Sequence, residues 1–260
     1  MSLTIVAFAI YCATAFVQYR DRRIPGERWL VLPALVLHAL ALSGHILQGG
    51  AITIGINESL SLFTWQSAFL LWALCFREPL RTLGAIVFPI AGIAAVVAGT
   101  WPTPASDIPI ADWKARSHIL LSLFSAGLLT LAAVHASLLA IQDQLLHGHR
   151  MTQLARSLPP VQTMERLLFQ LIAIGFFLLS LTLLSGIWFI RDWMAQHLAH
   201  KTILSITAWI IFGVLLWGRM RYGWRGRTAI RWTLAGYATL VLAYFGSKVI
   251  LEQILGRHWS

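Results

Sequence analysis

Two charge-free apolar runs joined by a short basic knot constrain this chain more than any other stretch. Residues 202–218 and 232–247 contain no Asp, Glu, Lys or Arg. Between them lie Arg219, Arg221, Arg225, Arg227 and Arg231, five arginines in thirteen residues. A helix rises about 1.5 Å per residue, so runs of this length cross, or nearly cross, the roughly 30 Å hydrocarbon core of a bilayer. The hairpin therefore reads as two membrane spans. Lys and Arg in so short a loop place it on the cytoplasmic side.

The rest of the chain agrees. Hydrophobic residues make up 58% and charged residues 12%, about half the charged share of a soluble domain. Such a chain cannot cover a water-facing surface. The formal net charge of +10 is spread over short loops between apolar runs. It sets topology and does not form the exposed basic stripe that nucleic acid needs, so no nucleic-acid partner is expected. Cys12 and Cys75 each sit in an apolar run, and no C-x-x-C occurs, which excludes a thiol–disulfide motif or a zinc knuckle. No basic residue precedes the first apolar run, so a cleavable signal peptide is not expected.

The predicted fold is all-α: a polytopic membrane helix bundle of about eight transmembrane helices. The spans fall near 3–19, 29–47, 60–76, 83–101, 118–141, 167–190, 202–218 and 232–254, with 48–59 read as a loop. Fourteen of the twenty Lys and Arg follow the odd-numbered spans. The positive-inside rule then puts both termini on the outer, periplasmic side. Trp29, Trp101, Trp113, Trp188, Trp193, Trp217, Trp232 and Trp259 lie near span ends, as an aromatic belt would have it. No soluble domain, low-complexity segment or internal repeat is visible, so 1–260 is expected to form a single integral membrane domain with lipid as its first partner.

Chemistry is harder to find. The first seven apolar runs hold no Asp or Glu, and only Lys248 and Glu252 occur near the outer end of the eighth. Coupled transporters place a carboxylate at the midplane to bind a cation or relay a proton, so that class is disfavoured. Gly-rich phosphate loops, paired carboxylates and a Ser-His-Asp arrangement are also missing, and the chain is not expected to be an enzyme. Histidine remains. Imidazole in hydrocarbon must be paired or bound to something, and it is a frequent ligand of haem iron. His38 falls mid-membrane, as an inter-helix hydrogen-bond partner or a functional group. His45 is seven residues further on nearly the same helix face. His118 opens the fifth span at the outer boundary, and His258 lies in the outer tail. His135 reads as a helix-packing partner, and His147, His149, His197 and His200 as loop residues.

Several blocks resemble the cytochrome c assembly family of haem-handling membrane proteins (the CcsA/CcmC/HemX group), and within it the small inner-membrane branch YpjD. They are Pro159-Pro160 with Glu165-Arg166, Leu184-Ser185-Gly186, residues 201–209, Gly223-Trp224-Arg225-Gly226-Arg227, and Tyr244-Phe245-Gly246. Together they cover about residues 110–250, in the family's order. The resemblance implies a protein of the bacterial inner membrane that binds or passes haem near the outer leaflet, alongside another membrane protein of cytochrome biogenesis. Carried over by position, His118 resembles the family's first external haem-ligand histidine and is the one residue implied to hold a metal, the haem iron. Ser43-Gly44-His45 with Asn57-Glu58-Ser59 is similar to the block around a membrane-embedded histidine. His38 resembles a histidine of the branch, and His258 is placed as a stand-in for the second external histidine. Arg225 and Arg227 are expected to anchor the cytoplasmic turn, with contact to haem propionates as the lesser reading.

The chain also departs from the family. The W-G-x-x-W-x-W-D segment is missing between Gly186 and Lys201, where only Trp188 and Trp193 echo it. Trp217 stands where a second membrane histidine is found in the family. These departures define the alternative: a non-catalytic assembly or regulatory protein on the same scaffold that has lost haem binding.

Overall fold

The computed structural model describes residues 2–19, 26–48, 51–54, 56–76, 80–101, 106–108, 113–147, 158–189 and 196–246. Among them are eight α-helices: α1 (Ser2–Tyr19), α2 (Leu32–Ile46), α3 (Ile56–Leu74), α4 (Arg81–Thr100), α5 (Trp113–His147), α6 (Val161–Phe189), α7 (Gln196–Tyr222) and α8 (Arg227–Val241). A 3-10 turn, Glu27–Trp29, precedes α2, and a π-helical turn, Leu242–Gly246, follows α8. Among the described residues six stretches are long and apolar enough to cross a membrane; they fall on α1, α2 with the turn before it, α4, α5, α6 and α7. The protein is a membrane-helical bundle, as its apolar runs predicted.

The differences are local. Three short strands, β1 (Leu47–Gln48), β2 (Ala51–Ile54) and β3 (Ser106–Ile108), form an antiparallel sheet in which Ile52 faces Ile108. Residues 48–59 are therefore not simply a loop. α3 also starts earlier than its apolar run, at Ile56, because Glu58 in the first turn complements the positive end of the helix dipole. Glu58, near the start of α3, and Glu165, near the start of α6, are both buried, so two carboxylates do enter the helical part of the bundle, each near a helix end and away from its middle. α5 is the longest element, 35 residues or about 52 Å, and it outruns the hydrocarbon core that its apolar stretch was expected to span.

The chain divides into two compact units, Met1–Ala111 and Asp112–Ser260. In the first, α1 packs most extensively on α4. Gly84, Gly92 and Gly99 make that possible by lining one face of α4 at seven- to eight-residue intervals. A Cβ at Gly92 would lie 3.1 Å from the Phe8 Cα, and one at Gly99 would meet Thr4 at 3.0 Å. Without a hydrophobic drive between helices in lipid, such close backbone approach is what holds them together. Tyr11 is fully buried in the seam and stacks on Phe88.

In the second unit α5 and α6 form the main pair. Ser125 Oγ donates to the Gly175 carbonyl at 3.0 Å, and Leu129 fills the space where a Gly175 side chain would be. α8 packs on α7 and α5, with Phe212 against Gly236. The arginine turn between α7 and α8 is built by specific bonds. Gly223 and Gly226 sit at positive φ, +66° and +57°, a region L side chains avoid. The Gly226 amide donates to Glu165 Oε1 at 2.7 Å, so α6 caps the start of α8. Arg219 donates to the Trp224 carbonyl and lies over the Phe169 ring, and Arg227 pairs with Asp143 of α5 at 3.0 Å. The anchoring role expected of Arg227 is thus visible as an ion pair.

Candidate functional site

His118 lies one and a half turns into α5, where α5 meets the last turns of α6. Its Nδ1 is 2.8 Å from Ser185 Oγ. Ser185 Oγ in turn lies 2.8 Å from the carbonyl oxygen of Thr182, one turn back on α6. A serine has one proton to give. With that proton on the Thr182 carbonyl, Ser185 accepts from His118, so the imidazole carries its hydrogen on Nδ1. The lone pair is then on Nε2. Gly186 completes the seat: a Cβ there would come within 3.3 Å of the His118 Cε1, so the Cε1–Nδ1 edge of the ring lies close against bare backbone. Lys201, near the start of α7, is the cation whose field reaches this ring, and its ammonium stands 5.4 Å from the Tyr244 ring centroid. The imidazole is half-buried, and Ile119 and Leu120 on the same turn of α5, with Leu184 and Trp188 on the last turns of α6, are exposed.

This arrangement passes the first test for haem. A metal-binding histidine ordinarily donates its other ring N–H to an oxygen, which sets both tautomer and ring plane. His118 has that oxygen in Ser185, and a free Nε2 among the described residues. Neutral imidazole with a committed Nδ1–H is the donor that haem iron takes.

His38 is built differently. It is fully buried where α1, α2 and α3 meet. Nε2 is 2.8 Å from Ser61 Oγ on α3, and Nδ1 is 3.4 Å from the Tyr11 hydroxyl on α1. Tyr11 also meets the ring edge-on at 6.0 Å. Both nitrogens are occupied, so His38 joins three helices and presents no lone pair. The seam extends along α3: Trp65 Nε1 donates to the Leu35 carbonyl and Trp72 Nε1 to the Arg28 carbonyl. His135 likewise serves packing, through Nε2 to the Met164 carbonyl at 2.9 Å.

The other expected site residues are less fully defined. His45 is on α2, but its side chain lies outside the described residues, as do His258 and the Trp193 and Trp259 of the expected belt. Trp217, which the resemblance sets against a family histidine, is exposed and packs edge-on to Tyr222 at 5.4 Å. Among the described residues no three His, Cys, Asp or Glu side chains gather as a metal cluster. Sequence reading named His118 but not the residues that orient it. Ser185 was already within a family-like block, Leu184-Ser185-Gly186, and that block was the available signal. Tyr11 and Ser61 carried none, because an apolar helix tolerates either without comment.

Comparison with known proteins places the chain. The family profile described as cytochrome C assembly protein matches residues 53–255, so the likeness reaches well into the first unit, beyond the 110–250 expected from motifs. The inner membrane protein YpjD of Escherichia coli K12 is 35% identical over 259 residues, covering 97% of both chains. Protein HemX of Brevibacillus brevis is 22% identical over 80% of this chain and 78% of its own. The cytochrome c biogenesis protein CcsA of Chlamydomonas reinhardtii is 24% identical over 90% of this chain and 67% of its own. No solved structure matches. With its apolar helices and these relatives, the chain is a multi-pass inner-membrane protein and belongs to the cytochrome c assembly protein family.

Proposed function

We propose that this protein, acting as one integral membrane domain without catalysing a reaction, binds or passes haem near the outer leaflet during cytochrome c biogenesis. It would work there with another membrane protein of that process. The observation that carries the reading is the His118–Ser185–Thr182 chain, which commits Nδ1 and leaves Nε2 for a ligand. Haem, when bound, would supply an iron that takes an imidazole nitrogen as a ligand. His118 binds through Nε2, Ser185 holds the ring plane, and Gly186 keeps the ring's flank clear. Lys201 brings positive charge to the same end of the unit, suited to a carboxylate. His45 and His258 are the residues we place next as second ligands. His38 we assign to the helix junction, since Tyr11 and Ser61 use both of its nitrogens.

The same reading includes the topology. We propose that α3, and α8 with the turn beyond it, complete eight spans with both termini outside, because fourteen of twenty Lys and Arg then face the cytoplasm. His118 then stands at the outer boundary.

The test is an absorption spectrum of the protein purified in mild detergent from cells supplied with a haem precursor. A Soret band that shifts on reduction and is lost in His118→Ala supports the reading. A well-folded protein that stays colourless and takes up no added haem sinks it. What would remain is a scaffold that holds a membrane partner.

A further inference from the structure

At the opposite end of α5 from His118, a recess of about 340 Å3 opens between α5 and α8. Ala140, Asp143 and Gln144 line it from α5, and Arg227, Ile230 and Arg231 from α8. Its charges do not balance. Asp143 is taken by Arg227, through Nε at 3.0 Å. Arg231, one turn further along α8, has no ion-pair partner among the described residues, so the recess keeps one unpaired guanidinium. The floor is apolar, with Ile230 buried. The level is informative too. The apolar stretch of α5 ends at Leu146, and the charge-free run of α8 begins just after Arg231. The recess therefore sits at the end of a membrane span, at the depth of the headgroups.

We propose that this recess is a binding site for an anionic phospholipid, its phosphate on Arg231 and the free face of Arg227, and its first acyl carbons on Ile230 and Ala140. The planar fork of a guanidinium matches two phosphate oxygens at once, which an ammonium does not. Basic pockets between membrane helices are suited to acidic headgroups. Asp143 sharpens the choice: it neutralises Arg227 and repels a second anionic group, so the site takes one phosphodiester. This site stands apart from His118, and its success or failure says nothing about haem.

The experiment counts bound lipids by native mass spectrometry on the full-length protein in detergent, after incubation with phosphatidylglycerol. Wild type should retain one phosphatidylglycerol that Arg231→Gln holds roughly tenfold more weakly, the loss expected for a hydrogen-bonded charge. Ala140→Trp, which fills the recess and leaves every charge in place, should lose the same lipid. Phosphatidylcholine should not replace it, and inorganic phosphate at millimolar concentration should not displace it. Equal retention of phosphatidylglycerol by wild type and both variants overturns the proposal. So does equal retention of phosphatidylcholine, which would remove the selectivity for an acidic headgroup. Displacement by inorganic phosphate overturns it as well, because the ligand would then be the free anion.

Discussion

His38 and His118 are both histidines in apolar helices, and both are bonded to a serine at 2.8 Å. They differ in what the second nitrogen meets. At His38 it meets Tyr11, and the ring is sealed among three helices. At His118 it meets no described side chain, and the ring is half-buried beside Gly186. The serines differ in turn. Ser61 completes a junction between helices, whereas Ser185 has spent its proton on its own helix and acts only as an acceptor. Imidazole is costly in hydrocarbon, so a membrane protein keeps it for one of two reasons. It ties helices together with both nitrogens, or it holds one nitrogen in reserve.

Four substitutions test that contrast, in descending order of expected effect. His118→Ala should abolish the Soret band of haem-loaded protein and leave the helical circular dichroism unchanged; a full-strength band would end the assignment. His38→Ala strands the Tyr11 and Ser61 hydroxyls in a buried site, and should lower stability by about 1–3 kcal/mol. Thermal unfolding in detergent reads that loss, while the haem band per folded molecule should hold. Were His38→Ala to bleach a protein that still folds, the two histidines would not divide the work as described. Ser185→Ala removes the acceptor for Nδ1–H and should weaken haem uptake roughly tenfold, as loss of an outer-shell partner does. A titration with added haem measures it, and the melting temperature should barely move. Ser61→Ala is the mirror case, costing about 1 kcal/mol of stability with no change in haem titration.

Much of the bundle was legible without coordinates, and the physical reason is solvent. In a bilayer each span must satisfy its backbone within itself, so a long apolar run has little choice but helix. Within the described residues, each of these runs falls mainly on a helix for this reason. The boundaries were less visible, because a span ends where its solvent does and the helix need not: α5 continues beyond the expected end at Ile141, through Gln142, Asp143 and Gln144, to His147. The strands were invisible for another reason. Ile52 pairs with Ile108 across 56 positions of sequence, and nothing local in Ala51–Ile54 announces a partner that far away.

The candidate site divides along the same line. By itself the sequence determined that the chain lives in a membrane, that it belongs with the cytochrome c assembly proteins, and that histidines are its candidate ligands. Composition and the order of motifs suffice for that, since both are properties of the chain read along its length. Only the tertiary structure decided which histidine is sealed and which keeps a nitrogen open. That depends on whether Tyr11 or bare Gly186 stands beside the ring, and so on how helices α1, α2 and α3, or α5 and α6, meet in space.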